Sequence, residues 1–256
     1  MSASAVAAPS FSLFELGGVS RVYGEEVEVW ALRQVALDIR AGDFMAIIGP
    51  SGSGKSTLLG LLGCLDLPSA GSIKVAGREV TDLDDAERSK IRGDAIGFVF
   101  QQFHLIPHLT ALGNVSTALL YRNLSKSDRR EIAMNALELV GLAERHDHRP
   151  VQLSGGEQQR VAIARAIVTD PKMVLADEPT GALDTKNASM VLEIFEQLRS
   201  DSRAIVVVTH DLQIAERMDR VVSMRDGEII ADEHRHERSS ALADRFWEAG
   251  RGTTLE

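Results

Sequence analysis

The feature that most constrains the fold of this chain is a glycine-rich segment at residues 49–56, which reads Gly-Pro-Ser-Gly-Ser-Gly-Lys-Ser. It follows a predicted buried strand at residues 43–48 and precedes a leucine-rich run at residues 58–62. This spacing matches the pattern with which backbone amides cradle a phosphate between a strand and a helix. The segment therefore predicts a strand, a tight turn and a helix, with a phosphate-binding site at the turn.

The last two residues of this phosphate loop (residues 49–56) carry the side chains that a bound phosphate group needs most. Lys55 is placed to contact the β- and γ-phosphates of a nucleotide, and the Ser56 hydroxyl is placed to ligate Mg²⁺. A glycine-rich turn without a ligand is the alternative, which the flanking strand and helix make less favoured. A helix terminus stabilises an anion by only about 0.3–2 kcal/mol, so Lys55, Mg²⁺ and contacts with the base must supply the rest.

A second pattern is an apolar run at residues 173–176 that ends in two carboxylates, Asp177 and Glu178. The run predicts a buried strand, and two acidic groups at the end of such a strand are difficult to explain as part of a core. Asp177 is placed to hold the hydration shell of Mg²⁺, and Glu178 is placed to polarise an attacking water. A solvated strand end is the alternative, which the presence of the phosphate loop makes unfavourable.

A third pattern lies at residues 153–160, which read Leu-Ser-Gly-Gly-Glu-Gln-Gln-Arg. Ser154 is a typical helix N-cap, and Gly155 and Gly156 leave the first backbone amides of the helix accessible to an anion. The segment therefore predicts a second glycine-rich helix start, far along the chain from the phosphate loop. Taken alone, an ordinary capped helix without a ligand is the better interpretation.

The remaining patterns predict strands that alternate with helices. Half-buried strands are predicted within residues 11–39, and short apolar strands at residues 72–75, 96–100 and 204–208. Helices are predicted within residues 109–141 and at residues 190–198, which favours a parallel sheet covered on both faces. We expect a flexible leader at residues 1–10, a domain at residues 11–231 with a helical subdomain at about 102–152, and a polar tail at residues 232–256 with a short helix at 239–248.

Composition limits the partners that this chain can have. Its 256 residues contain 37 acidic and 28 basic side chains, so the formal net charge is -9 and argues against nucleic acid as a partner. No run approaches the roughly 18 apolar residues that a membrane span needs, so any membrane role is expected to come through a partner. The single cysteine, Cys64, cannot form an internal disulfide and is expected to be a buried small hydrophobe in a cytoplasmic protein.

Taken in order, these motifs resemble those of the ATP-binding subunit of an ABC transporter, over about residues 11–231. The segment at residues 153–160 resembles the ABC signature, an element that kinases and GTPases lack. Tyr23 resembles the aromatic residue that stacks on adenine, and Gln101 resembles the Q-loop glutamine. Asp184, in the Gly-Ala-Leu-Asp segment at residues 181–184, resembles the D-loop aspartate, and His210 resembles the switch histidine. Taken singly, Tyr23 would more often be a packed surface aromatic and His210 a structural histidine, and Gln101 would be an ordinary loop residue.

The resemblance implies a fold and a set of site residues. The fold would be α/β, a P-loop NTPase core with a mostly parallel sheet, an antiparallel β subdomain and an inserted α-helical subdomain, as in an ABC ATPase cassette. The catalytic residues would be Glu178, His210 and Gln101, and the metal ligands would be Ser56, Gln101 and Asp177. The residues that bind ATP would be Tyr23, Gly49, Ser51, Gly52, Ser53, Gly54, Lys55, Ser56, Thr57, Ser154, Gly155, Gly156 and Asp184.

The resemblance also implies how the two glycine-rich helix starts act together. Two chains would meet head to tail with ATP between them, so that residues 154–156 of one chain cap the γ-phosphate held by Lys55 of the other. Hydrolysis of ATP with Mg²⁺ would then loosen this homodimer and drive a separate membrane-spanning permease subunit. The chain would work at the cytoplasmic face of the membrane.

Three stretches, at residues 62–66, 98–102 and 179–184, resemble the branch that contains the macrolide exporter MacB, a lipoprotein-release ATPase and a cell-division ATPase. A regulatory ATPase that signals through a membrane partner without transport is the main alternative, and a soluble ABC ATPase is a weaker one. The resemblance also places Phe103, Leu105 and Ile106 beside the groove for the membrane subunit. They either line that groove or pack within the helical subdomain.

Overall fold

The computed structural model describes residues 12–24 and 26–235. Within these residues the strands are β1 (Ser12–Tyr23), β2 (Val29–Arg40), β3 (Phe44–Ile48), β4 (Ala70–Val75), β5 (Arg78–Glu79), β6 (Ile96–Val99), β7 (Met173–Asp177), β8 (Ala204–Thr209), β9 (Arg220–Arg225) and β10 (Glu228–His234). The helices are α1 (Lys55–Leu62), α2 (Asp85–Ala95), α3 (Ala111–Ser116), α4 (Lys126–Leu139), α5 (Gly155–Ile167), α6 (Thr185–Gln197) and α7 (Leu212–Arg217). Among the described helices, none is long and apolar enough to cross a membrane.

The strands form two sheets. The larger sheet has the order β10-β9-β3-β8-β7-β6, in which β10 alone pairs antiparallel to its neighbour. The smaller sheet has the order β2-β1-β4-β5 and is antiparallel throughout. The predicted mostly parallel core with an antiparallel β subdomain is therefore confirmed.

The central strands of the larger sheet are apolar up to their last residue because both of their faces are covered. Side chains alternate along β3, so that Phe44, Ala46 and Ile48 enter one core while Met45 and Ile47 enter the other. The first core packs helices α3 to α7 against one face, and the second packs α1 and the antiparallel sheet against the opposite face. Two continuous cores thus hold the carboxyl ends of β3, β7 and β8 at one edge of the sheet.

The segment between β6 and α5 is helical, as the period of its apolar residues predicted. The N-cap side chains Thr110 and Ser125 accept hydrogen bonds from the backbone N–H groups of Gly113 and Asp128 at the starts of α3 and α4. The Asn114 side chain is fully buried and bonds to both the N–H and the C=O of Ile106, which fixes the loop before α3. This helical subdomain rests on α5, which also packs against β6.

The structure adds elements that the sequence patterns did not predict. Helix α2 lies on the surface with no buried residue, so its sequence shows no apolar period. No residue of β10 is fully buried. Helix α6 starts at Thr185 rather than near Met190 because its first turn is polar and is capped by Asp184. Strand β10 continues to His234, three residues beyond the predicted boundary at residue 231. The leader at residues 1–10 and the tail helix at residues 239–248 lie outside the described residues.

Candidate nucleotide-binding site

The phosphate loop connects the end of β3 to the start of α1, as predicted. A Cβ atom at Gly49 would lie 2.4 Å from the Met224 carbonyl oxygen, so only glycine fits there. Gly54 has a φ of +98°, and a Cβ atom there would lie 2.5 Å from the Ala31 carbonyl oxygen. Gly54 is also the N-cap of α1 and has no side chain to bond to the first turn, so the first N–H groups of the helix are free for an anion.

Lys55 reaches back over this loop. Its Nζ donates to the carbonyl oxygens of Gly49 at 2.8 Å and Pro50 at 2.9 Å. Burial lowers the pKa of Lys55, although the carboxylates of Glu178 and Asp177 act in the opposite direction. The ammonium group is therefore held at the loop in a partly dehydrated state, which strengthens its attraction for a phosphate.

The loop faces a cleft of about 900 Å³, a volume that suits a ligand of nucleotide size. Its walls come from the phosphate loop, from β2, from the end of β7 and from the residue after β8. The predicted site residues that line the cleft are Ser51, Gly52, Gly54, Lys55, Ser56, Thr57, Asp177, Glu178 and His210. Residues separated by more than 150 positions in sequence are thus brought together at one edge of the parallel sheet.

The two carboxylates at the end of β7 have different surroundings. Asp177 is partly buried, and its burial together with the neighbouring Glu178 raises its pKa, against the effect of Lys55. The Glu178 carboxylate accepts hydrogen bonds from the backbone N–H of His210 at 3.1 Å and from the Thr209 hydroxyl at 3.2 Å. Its Oε1 also lies 2.8 Å from His210 Nδ1. Glu178 is therefore oriented by the end of β8, while Asp177 remains beside Lys55.

Several predicted site residues do not line the cleft. Gly49 and the buried Ser53 lie within the loop itself, where the Ser53 hydroxyl has no hydrogen-bond partner. Gln101 is exposed and lies against Gly181, because a Cβ atom at Gly181 would be 2.8 Å from Gln101 Nε2. Gln101 is thus near the Gly-Ala-Leu-Asp segment but outside the walls of the cleft.

Tyr23 also lies outside the cleft walls, although its backbone pairs with Val29, which is one of them. The Tyr23 hydroxyl donates to Asp66 at 2.8 Å, and the Arg21 guanidinium lies 4.5 Å from the centre of its ring. The aromatic side chain that does line the cleft is Trp30 on β2. Trp30 was not among the residues predicted from the sequence, because nothing in its local pattern distinguishes it from other residues of a half-buried strand.

The second glycine-rich helix start is exposed and separate from the cleft. Ser154 caps α5 as predicted, with its hydroxyl accepting from the Glu157 N–H while the Glu157 carboxylate accepts from the Ser154 N–H. The bond from the Ser154 N–H is the main cause of the lowered pKa of Glu157. Asp184 approaches this helix start through Asn187, whose side chain donates to the Asp184 carboxylate and lies directly against Gly156.

A second cavity of about 430 Å³ lies between β6, the helical subdomain and α5. Its apolar wall contains Phe98 and Phe100, whose rings stack at 5.5 Å. Arg165 on α5 also lines it and donates to the carbonyl oxygens of Phe103 and His104, at 2.8 Å and 2.6 Å. Of the three residues predicted to border a groove, Leu105 packs against the helical core, and none of the three lines this cavity.

Three comparisons identify similar proteins. A family model described as "ABC transporter" matches residues 32–181. The chain is 47% identical over 223 residues to the ABC transporter ATP-binding protein YvrO of Bacillus subtilis, of which it spans 97%. It is 51% identical over 222 residues to the macrolide export ATP-binding/permease protein MacB 1/2 of Paracoccus denitrificans, but it spans only 33% of that protein.

The solved structures that resemble this chain are also ABC cassettes. A dimeric structure of the ATP-binding cassette MJ0796 bound to ADP and Pi is 45% identical, with a TM-score of 0.81 over 88% of this chain and 99% of that one. CbiO1 of Clostridium perfringens, described as part of an ABC transporter complex, is 27% identical with a TM-score of 0.80, over 95% of this chain and 96% of that one. These similarities extend over both sheets and the helical subdomain.

Proposed function

The chain belongs to the ABC transporter family of ATP-binding proteins, and we propose that it drives a separate membrane-spanning permease by closing on ATP as a head-to-tail homodimer. It is an ATP-hydrolysing cassette and the motor subunit of an ABC transporter. The observation that carries the site assignment is the cleft in which Lys55, Asp177, Glu178 and His210 meet.

The phosphates of ATP bind at the phosphate loop. The free N–H groups at the start of α1 and the Lys55 ammonium supply the positive charge that the β- and γ-phosphates require. The Ser56 hydroxyl and the Asp177 carboxylate both line the cleft, and such hard oxygen donors fit Mg²⁺. When bound, Mg²⁺ would neutralise phosphate charge. Gln101 would be a further oxygen ligand for Mg²⁺ if its side chain, which lies against Gly181, turned toward the cleft.

Glu178 accepts the proton of the attacking water. Its carboxylate is already directed by the Thr209 hydroxyl and by the backbone N–H and imidazole of His210, so little reorganisation is needed before reaction. His210, at the end of β8, lies in the same cleft and contacts the γ-phosphate. Hydrolysis then leaves ADP and phosphate in a site that no longer bridges two chains.

The exposed start of α5 completes the site of a second copy of the chain. Ser154 and Gly155 are exposed and lie outside the cleft, whereas residues of the phosphate loop line it. A two-fold dimer places each element opposite the other and creates two equivalent sites. Asp184, which is also exposed, lies at the same surface and reports the state of one site to the other.

The cavity lined by Phe98, Phe100 and Arg165 is where the permease subunit binds. It lies next to the loop that begins with Gln101, so contact there can alter the position of Gln101. The MacB relatives are described as macrolide export ATP-binding/permease proteins, and they are about three times as long as the segment that this chain matches. This similarity supports export or mechanotransmission through a partner at the cytoplasmic face of the membrane.

The decisive experiment is the Glu178→Gln variant, measured beside Glu193→Gln as a control on the exposed face of α6. We expect Glu178→Gln to bind ATP normally, to lower kcat by at least about 100-fold and to sediment as an ATP-dependent dimer. The control should match the parent protein in all three measurements. Parental kcat in Glu178→Gln would show that the proposed base is wrong.

A further inference from the structure

Gln159 is a buried amide within the segment at residues 153–160, and neither the cleft nor the cap of α5 uses it. It lies in the second turn of α5, and its side chain is completely inaccessible to solvent. Its Nε2 donates to the carbonyl oxygen of Pro179 at 2.7 Å. Its Oε1 is also buried and has no hydrogen-bond partner. The direction of the amide is settled by Pro179, because a carbonyl oxygen can only accept.

Pro179 directly follows Glu178, whose backbone conformation is unusual. Glu178 has a φ of +44°, a region that residues other than glycine rarely occupy, and a residue before proline avoids helical conformations. Such a conformation persists only where the surroundings hold it in place. Here the Glu178 N–H donates to the Val208 carbonyl at 2.8 Å, and the Glu178 carbonyl accepts from Gly181 N–H at 3.0 Å. The bond from Gln159 restrains the next residue from the opposite side.

Stability alone does not account for this amide. The net free energy of one neutral hydrogen bond is generally smaller than the cost of burying a polar atom without a partner. An apolar side chain of the same length would remove the unpartnered Oε1, but it would also leave the buried carbonyl of Pro179 without this donor, so the two costs offset each other. The arrangement therefore favours a role in positioning the turn that carries Glu178.

We propose that Gln159 is a positioning residue that places the Glu178 carboxylate by holding the carbonyl of Pro179. This inference rests on the proposed role of Glu178 as the base. It also links two sites within one chain, because α5 begins with Ser154 and Gly155, which serve the partner copy in the proposed dimer.

The test is the near-isosteric variant Gln159→Met, with Gln197→Met at the exposed end of α6 as the matched control. We expect Gln159→Met to lower kcat about tenfold, because a small misplacement of a catalytic group slows the reaction while leaving nucleotide binding intact. The KM for ATP should stay within about twofold of the parent, since the bond does not touch the cleft wall. The Tm should stay close to that of the parent, because the lost bond to Pro179 offsets the removal of the unpartnered Oε1. The control should change none of these.

Gln159→Met combined with Glu178→Gln distinguishes an effect that acts through Glu178 from a general structural effect of the substitution. A residue that acts through Glu178 has no further effect once Glu178 is replaced, so kcat of the double variant should equal that of Glu178→Gln within about twofold. Three outcomes would overturn the proposal. They are a lowered Tm with a proportional loss of activity, an unchanged kcat in Gln159→Met, and a tenfold loss of kcat in both the parent and the Glu178→Gln background. If Glu178→Gln itself kept parental activity, the proposed function of Glu178 would fail instead.

Discussion

The two glycine-rich helix starts of this chain differ in what surrounds them. The phosphate loop is enclosed by β2, β7, β8 and β9 and opens into a cleft that contains Lys55, Asp177 and Glu178. The start of α5 is capped by Ser154 and Glu157, whereas the start of α1 has no side-chain cap, and Ser154 and Gly155 are exposed and lie outside the cleft. The two glycine-rich segments therefore differ: the first opens into a cleft within a single chain, whereas in the proposed dimer the second becomes a binding site when a second chain covers it.

Removal of the Lys55 ammonium group from the phosphate loop should have the largest effect on nucleotide affinity. In Lys55→Ala we expect the Kd for ATP to rise about 10- to 150-fold, since hydrogen bonds to charged groups contribute about 1.5–3 kcal/mol. Isothermal titration of the monomer measures this directly. Lys90→Ala, an exposed lysine on α2, is the control and should bind as the parent does. Undiminished affinity in Lys55→Ala would mean that the cleft does not hold the phosphates.

An arginine in place of Ser154, at the exposed start of α5, should lower ATPase activity rather than the affinity for ATP, and the effect should be smaller. We expect Ser154→Arg to lower steady-state ATPase activity about tenfold or more by obstructing dimer closure, while the Kd of the monomer for ATP stays within about twofold. Ser125→Arg is a matched control, because Ser125 is also an exposed N-cap serine, at the start of α4. Equal losses in the two variants would assign the effect to the lost cap rather than to the dimer.

The smallest expected effect concerns the adenine base at the edge of the cleft. The Tyr23 ring is held by Arg21 and Asp66 and is 40% exposed, so we expect it to stack on the base. Tyr23→Ala should raise the Kd for ATP about fivefold, the lower end of stacking energies, whereas Tyr23→Phe should not. Tyr121→Ala, an exposed tyrosine of the helical subdomain, is the control.

Measuring Trp30→Ala in the same titration series compares the contributions of Trp30 and Tyr23 to ATP affinity. Trp30 lines the cleft, whereas Tyr23 lies at its edge. If Trp30→Ala weakened ATP binding more than Tyr23→Ala, the base would lie on Trp30, and the assignment of Tyr23 from its motif would be wrong.

Much of the fold was predictable because its signals are local. The five apolar residues of β3 and the glycines that follow predicted a strand, a turn and a helix, and Ser154 predicted the start of α5. Helix α2 and strand β10 could not be predicted, because neither buries a continuous apolar face. In the site, contiguous motifs identified Lys55, Asp177 and Glu178, but the hydrogen bond from Gln159 to Pro179 joins residues 20 positions apart and left no local trace.

The sequence by itself determined the chemistry of this protein: a phosphate loop, a pair of carboxylates and a second glycine-rich helix start. These depend on residue types at fixed short spacings, which the covalent chain imposes. Only the tertiary structure decided that Glu178 is held by Thr209, His210 and the turn beside Gln159, and that Trp30 rather than Tyr23 lines the cleft. The physical reason is that these contacts arise from strand order and side-chain packing across two sheets, which no short segment of the chain specifies.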